Sequence, residues 1–217
     1  MDNLSISILG CGNIGSAIAK GLVQSGINPG NIILTRRKIN QLDQFKKENY
    51  IVSDDNYLAI KKSKIIILAV APGEIMDLLD QVGNKFQKEH LLISLVSGVS
   101  IKYLQTKVDN KIQIIRAMPN TAAVLKESMT CLASLDEFNN GIKEAQKIFD
   151  RIGETIIIDE KQMESATALC ACGIAFFLRA IRAASQGGIE IGFHSNEAFT
   201  IAAQTARGAA ALLLDNS

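Results

Sequence analysis

Near its start the chain carries Gly10-Cys11-Gly12-Asn13-Ile14-Gly15, a Gly-x-Gly-x-x-Gly spacing set between Ile6-Ser7-Ile8-Leu9 and Ser16-Ala17-Ile18-Ala19. A strand that turns on such glycines into a helix can hold a dinucleotide pyrophosphate. Gly10 permits the tight turn, Gly12 lacks a Cβ so that phosphate can approach the backbone, and Gly15 lets helix and strand pack closely. The N–H groups and dipole of the helix N-terminus then favour negative charge. A second group of side chains, Thr35-Arg36-Arg37-Lys38, follows the next apolar run. An NAD-type site places a carboxylate there for the ribose 2′-hydroxyl. Two guanidinium groups and a lysine suit a 2′-phosphate instead, through bidentate, charge-assisted bonds. NADP is the expected dinucleotide, and NAD the less suited one. The bland alternative for these residues is a solvated basic helix start, which the helix dipole opposes.

These groups need a scaffold, and the pattern of apolar residues supplies one. Strands are expected over residues 4–9, 31–35, 64–70, 91–95 and 111–116, with helices over 13–24, 39–47 and 74–82. Ile65-Ile66-Ile67-Leu68-Ala69-Val70 reads as a central parallel strand covered on both faces. Ser5 and Ser7 interrupt the first strand but are small enough to lie under a helix. The alternation argues for an α/β fold, a doubly wound Rossmann-type sheet. Two more strands, near 128–133 and 154–158, flank a helix near 138–151 that stops at Gly153.

After Glu160 no strand signal follows. Met163, Ala166, Cys170, Gly173, Phe177, Ile181 and Ala184 recur at helical spacing and form one apolar stripe. Gly187-Gly188 and Gly192 break that pattern, and a last helix is expected over 196–214 with Ser195 as its N-cap. This helix is apolar on nearly all sides, so it needs more cover than one neighbouring helix gives. The expected organisation is a nucleotide-binding domain, 1–159, and a helical segment, 160–217, that pairs chains into a homodimer or a larger homo-oligomer.

A length of 217 residues is enough for one domain and part of another. With 21% charged residues and a net charge of +1, nothing points to a nucleic-acid or membrane partner. No apolar run reaches the ~20 residues that span a bilayer, and no signal-peptide pattern precedes the first strand, so a cytoplasmic location is expected. The four cysteines make no C-x-x-C pair, and only His90 and His194 accompany them. A zinc site or disulfide framework is not expected. Cys170 and Cys172 read as small buried thiols, and both histidines as structural or solvated.

Three later segments fall at the carboxyl ends of strands, where open α/β sheets bind ligands. They are Ala69-Val70-Ala71-Pro72, Ser94-Leu95-Val96-Ser97-Gly98-Val99 and Arg116-Ala117-Met118-Pro119-Asn120-Thr121. Taken in order with the glycine turn and Glu164-Ser165-Ala166-Thr167-Ala168-Leu169-Cys170-Ala171-Cys172-Gly173, they resemble the pyrroline-5-carboxylate reductase family over nearly the whole chain. The resemblance implies NADPH-dependent reduction of 1-pyrroline-5-carboxylate to L-proline, the last step of proline synthesis. It implies that Gly10 to Gly15 cradle the pyrophosphate and that Thr35, Arg36 and Arg37 hold the 2′-phosphate. Asn56 matches an asparagine near the adenosine end. Ala69, Val70, Ala71, Pro72, Ser97 and Gly98 match the walls around ribose and nicotinamide. Met118, Pro119, Asn120 and Thr121 match the loop over the nicotinamide face, and Glu160 an acidic residue on the substrate side.

The chain also departs from the family pattern. Ala71 replaces the usual lysine, Ala122 the second proline, and Cys170-Ala171-Cys172-Gly173-Ile174-Ala175 the usual Ser-Gly-Ser-Gly-Pro-Ala. The family continues past the position of Ser217 with a helical segment and a glycine- and threonine-rich loop that cradles the substrate carboxylate; that half of the site is expected outside this sequence.

The implied step is hydride transfer to C5 of the cyclic imine, in which orientation of two partners supplies up to ~7–11 kcal/mol. A protonated imine needs little acid help, and no catalytic acid is assigned. Glu160 either polarises substrate or begins a helix, where acids are favoured. Asn120 either bonds a ligand or holds its own loop. Another NADP-linked reductase on the same scaffold is a second reading, either an F420-linked NADP reductase or a β-hydroxyacid dehydrogenase. The absence of lysine between Gln162 and Gln186 disfavours the latter. A non-catalytic NADP-binding protein is a third.

Overall fold

The computed structural model describes residues 4–108, 112–135 and 140–215. The expectations for Lys111, Phe138, Asn139 and Ser217 lie outside the described residues. Eight strands form one sheet in the order β3-β2-β1-β4-β5-β6-β7-β8. They are β1 Ile6–Leu9, β2 Ile32–Thr35, β3 Ile51–Ser53, β4 Ile65–Leu68, β5 Leu91–Ser94, β6 Gln113–Met118, β7 Ser128–Ala133 and β8 Gly153–Ile157. The first six strands are parallel; β7 runs antiparallel to β6, and β8 lies parallel to β7. The order 3-2-1-4-5-6 is that of the dinucleotide-binding sheet, whose direction of winding reverses between β1 and β4. The strands β1, β2, β4 and β5 are buried throughout, as their unbroken apolar runs require.

Helices α1 Asn13–Gln24, α2 Asp43–Lys47, α3 Asn56–Lys61, α4 Ile75–Val82, α5 Ile101–Lys107 and α6 Asn140–Phe149 link the strands. Two apolar clusters sandwich the sheet. One gathers Ile8, Ile18, Leu22, Leu34, Ile67, Ile93 and Phe149; the other gathers Leu9, Ile66, Leu68, Leu79, Leu92 and Leu104. Ser7 is fully buried, as a small residue under a helix should be. Helix α1 ends at Ser25, where Gly26 takes φ +98° and Ile27 N–H returns to the Leu22 carbonyl.

Past β8, Asp159 starts the helical segment by accepting from Lys161 N–H at 3.0 Å. Helix α7 Met163–Ala166 runs through a π turn, Thr167–Ala171, into α8 Gly173–Glu190, and α9 Ser195–Asp215 follows. Met163 and Ala166 are buried in a cluster with Met118, Cys131 and Ala133, so this stretch packs against β6 and β7. The chain divides into two compact units, one through Ala171 and the other from Cys172 onward. In the second unit the hairpin of α8 and α9 closes at Gly188, where an added Cβ would lie 3.0 Å from Ala198 Cβ.

Several local expectations change. The apolar stripe is not buried along its length: Met163 and Ala166 are buried, while Phe177 is 69% exposed. Cys172 is exposed rather than buried, and Cys170 is half-buried. The cap of α9 falls at His194 rather than Ser195: its N–H donates to Glu197 Oε2 at 3.0 Å, and its carbonyl accepts from Ala198 N–H. The stretch Glu160–Glu190 is long and apolar enough to cross a membrane by length and composition, although scattered charges interrupt its apolar run.

Candidate nucleotide-binding crevice

The carboxyl ends of β1, β2, β4, β5 and β6 converge on one edge of the sheet, and every sequence motif but the last lies there. Gly10 adopts φ +93°, and an added Cβ would stand 2.6 Å from Val70 Cγ1 and 2.9 Å from the Ala69 carbonyl oxygen. The turn is therefore wedged against the end of β4, and only glycine fits. Cys11 N–H donates to the Thr35 carbonyl at 2.9 Å, which ties the turn to β2 as well. Gly15 also faces protein, with the Gly10 carbonyl 2.9 Å from its absent Cβ. Gly12 differs: nothing lies within 4 Å of where its Cβ would be. It stands at the N-terminus of α1, which has no capping side chain and no acidic residue in its first turn. Open space beside a helix N-terminus without a capping side chain suits an anionic group.

Thr35 is buried, and its hydroxyl donates to Asn56 Oδ1 at 2.6 Å. Two residues separated along the chain are thereby joined at the carboxyl end of β2. Arg36 lies across the glycine turn, with Nη1 donating to the Cys11 carbonyl at 3.1 Å. That bond uses one of the five guanidinium donors. Arg37 is exposed and pairs with Glu74, which the turn after Pro72 carries. Both partners are open to water, so the pair is worth about 0–1 kcal/mol and exchanges readily for another anion.

The far wall is built from loops. Ala69 N–H donates to the Leu9 carbonyl at 2.8 Å, after which Val70, Ala71 and Pro72 lead outward. Beyond β5, Val96 is buried, Ser97 half-buried and Gly98 exposed at φ +74°. At the end of β6, Met118 and Pro119 are buried, and the Asn120 side chain bonds both its own loop and the π turn. Its Oδ1 accepts from Ala122 N–H at 3.0 Å, and its Nδ2 donates to the Cys170 carbonyl at 3.2 Å. The 3₁₀ turn Thr121–Leu125 that follows rests on the backbone of α1 at Gly21. Thr121 itself is exposed.

Glu160 stands on the β6 side. Its Oε1 accepts from Ile101 N–H at 2.6 Å and lies 3.5 Å from Arg116 Nη1. The sequence places Arg116 at the head of the third strand-end segment without giving it a role of its own. The signal was present, since one arginine interrupts the apolar run Ile114-Ile115-Arg116-Ala117-Met118. The two thiols of Cys131 and Cys170 lie 3.1 Å apart. Burial, then the Cys170 contact, push the Cys131 thiol up to about 12, so it stays protonated at neutral pH. Burial likewise raises the Cys11 thiol. His90 is remote from the crevice; its Nδ1 accepts from Gln87 N–H at 2.9 Å, and burial lowers its pKa.

Comparison with known proteins places this crevice in a family. The family described as NADP oxidoreductase, coenzyme F420-dependent, matches residues 5–98. The family described as pyrroline-5-carboxylate reductase dimerisation matches residues 160–217. Pyrroline-5-carboxylate reductase 1 of Dictyostelium discoideum is 47% identical over 98% of this chain and 41% of its own length. Pyrroline-5-carboxylate reductase 2 of the same organism is 42% identical over 99% of this chain and 78% of its own. This chain thus spans less than half of the first relative and over three quarters of the second. A crystal structure of Plasmodium falciparum pyrroline carboxylate reductase with NADP bound is 26% identical, with a TM-score of 0.89 over 98% of this chain and 79% of that one. The chain belongs to the pyrroline-5-carboxylate reductase family.

Proposed function

We propose that this chain binds NADPH in the crevice and reduces 1-pyrroline-5-carboxylate to L-proline. The observation that carries the reading is the open space at Gly12 beside the uncapped N-terminus of α1, with Arg36 laid across the same turn. The backbone of Gly10 to Gly15 receives the pyrophosphate, and Thr35 with Asn56 borders the adenosine. Arg36 and Arg37 take the 2′-phosphate, Arg37 by releasing Glu74. Ala69 to Pro72 and Ser97-Gly98 flank the ribose and nicotinamide, and Met118 to Thr121 cover the remaining face. Bound NADPH supplies a hydride at its nicotinamide C4. The chain's own part is orientation: its loops hold the nicotinamide in one plane and keep water from that face. A substrate that arrives as an iminium requires no proton donor from the protein, in keeping with a crevice whose side chains are largely committed to each other.

The apolar surfaces of α8 and α9 are read as a contact with a second copy of the chain, in line with the dimerisation segment matched at 160–217. The match at 5–98 favours a second reading, another NADP-linked reductase on the same scaffold, but it spans only the nucleotide-binding part. Mixing the protein with NADPH and pyrroline-5-carboxylate and following NADPH absorbance separates these. Proline formed in step with NADPH loss is expected. Oxidation of NADPH with another imine or carbonyl compound, but not with this imine, would overturn the assignment of substrate.

A further inference from the structure

Arg116 is the only Asp, Glu, Lys or Arg among the described residues that is buried, at 5% exposure. It sits on β6 two residues before Met118, on the strand that ends in the Met118–Thr121 loop. Only Nη1 approaches a carboxylate, Glu160 Oε1 at 3.5 Å; Nε and Nη2 are buried and meet no hydrogen-bond partner among the described residues. A guanidinium so incompletely paired costs stability where a methionine of similar length would not. Stability therefore does not account for its placement.

The same Glu160 oxygen accepts from Ile101 N–H at 2.6 Å. Ile101 opens α5 and directly follows Ser97-Gly98-Val99-Ser100. One carboxylate oxygen thus joins three pieces: the β6 strand end, the loop after β5, and the first turn of the helical segment. We infer that Arg116 is a positioning residue that, acting through Glu160, holds the Ser97–Gly98 loop in register with the Met118–Thr121 loop across the nicotinamide end of the crevice. Arg116 fixes the carboxylate, the carboxylate fixes the start of α5, and α5 fixes the loop. Glu160 is committed to that link and neither donates nor accepts a proton in the reaction. The inference rests on the crevice being an NADPH site.

A double-mutant cycle on the whole chain tests it, with R116M, E160A and R116M/E160A read first by direct NADPH titration and then by kcat and KM. Arg116 acting through Glu160 predicts that R116M and E160A each weaken NADPH by about tenfold and that the double variant is no worse than either single one. Multiplying effects would overturn the link. E160Q retains an acceptor for Ile101 N–H, so NADPH affinity recovers partway while the pH profile of kcat keeps the shape of the parent. Loss of one limb of that profile in E160Q would make Glu160 an acid or base and overturn the positioning role. Should R116M fail to fold, R116Q, which is also uncharged, takes its place in the cycle with the same reading. Because the titration needs no turnover, a protein that binds NADPH but leaves pyrroline-5-carboxylate untouched still reports on the link, which separates failure of this inference from failure of the proposed reaction.

Discussion

At the scale of single residues, the crevice is a balance of charges that a ligand must re-sort. Arg36 is anchored on the Cys11 carbonyl, so its guanidinium is already at the glycine turn. Arg37 is held by Glu74, from the segment that leads into α4. A 2′-phosphate brings enough charge to displace a water-exposed carboxylate, since charged hydrogen bonds are worth about 1.5–3 kcal/mol each against 0–1 for the exposed pair. Replacing both arginines with glutamate should therefore weaken NADPH by at least about a hundredfold, with a much smaller effect on NADH. Titration of the double variant with both nucleotides measures this, and equal losses would mean that the 2′-phosphate sits elsewhere. Arg36 and Arg37 were legible in the sequence because basic residues stand where an acid belongs. Their partners were not, because Cys11 and Glu74 meet them only through the fold.

At the scale of elements, α1 does two jobs. Its N-terminus borders the open space at Gly12 where we propose the pyrophosphate, and its middle supports the turn Thr121–Leu125. The second contact depends on Gly21, where an added Cβ would come 2.1 Å from the Ala123 carbonyl oxygen. Gly21→Ala must push the turn Thr121–Leu125 off the helix, at a cost of about 1–3 kcal/mol. A lower unfolding midpoint in denaturant together with a raised KM for NADPH is expected; an unchanged KM would mean that this turn does not position the Met118–Thr121 loop. The strands flanking the motifs were legible because buried parallel strands are long apolar runs. The edge strand β3 was not, since Ile51-Val52-Ser53 is three residues and partly exposed. Helices α3 and α5 were missed for their brevity, although their caps were written in the sequence. Asp55 Oδ1 accepts from Leu58 N–H at 3.1 Å and Ser100 Oγ from Tyr103 N–H at 3.2 Å. The reversal of β7 follows from the short link 119–127, which leaves no room for the crossover that a parallel strand needs.

At the scale of the whole molecule, the second compact unit carries the strongest unmet demand. Phe176, Phe177 and Leu178 are each at least 60% exposed on α8, and Leu212, Leu213 and Leu214 at least 67% on α9. Each large apolar side chain taken out of water contributes about 1.5–3 kcal/mol, so two such hairpins have ample reason to cover one another. A bilayer would cover the same surface, but Arg179 and Arg182 lie in the middle of α8, and each costs about 2.5–3.5 kcal/mol at the centre of a membrane. A contact between subunits lets those heads reach water at its rim while the stems stay in apolar surroundings. The chain is therefore expected to sediment as a dimer or larger species in detergent-free buffer. Phe177→Asp combined with Leu213→Asp should shift it toward monomer by placing two carboxylates in the contact. A parent protein that stays monomeric at the highest concentration reached, or that leaves the vesicle-free phase when lipid is added, would show that the exposed helices meet something other than a second copy.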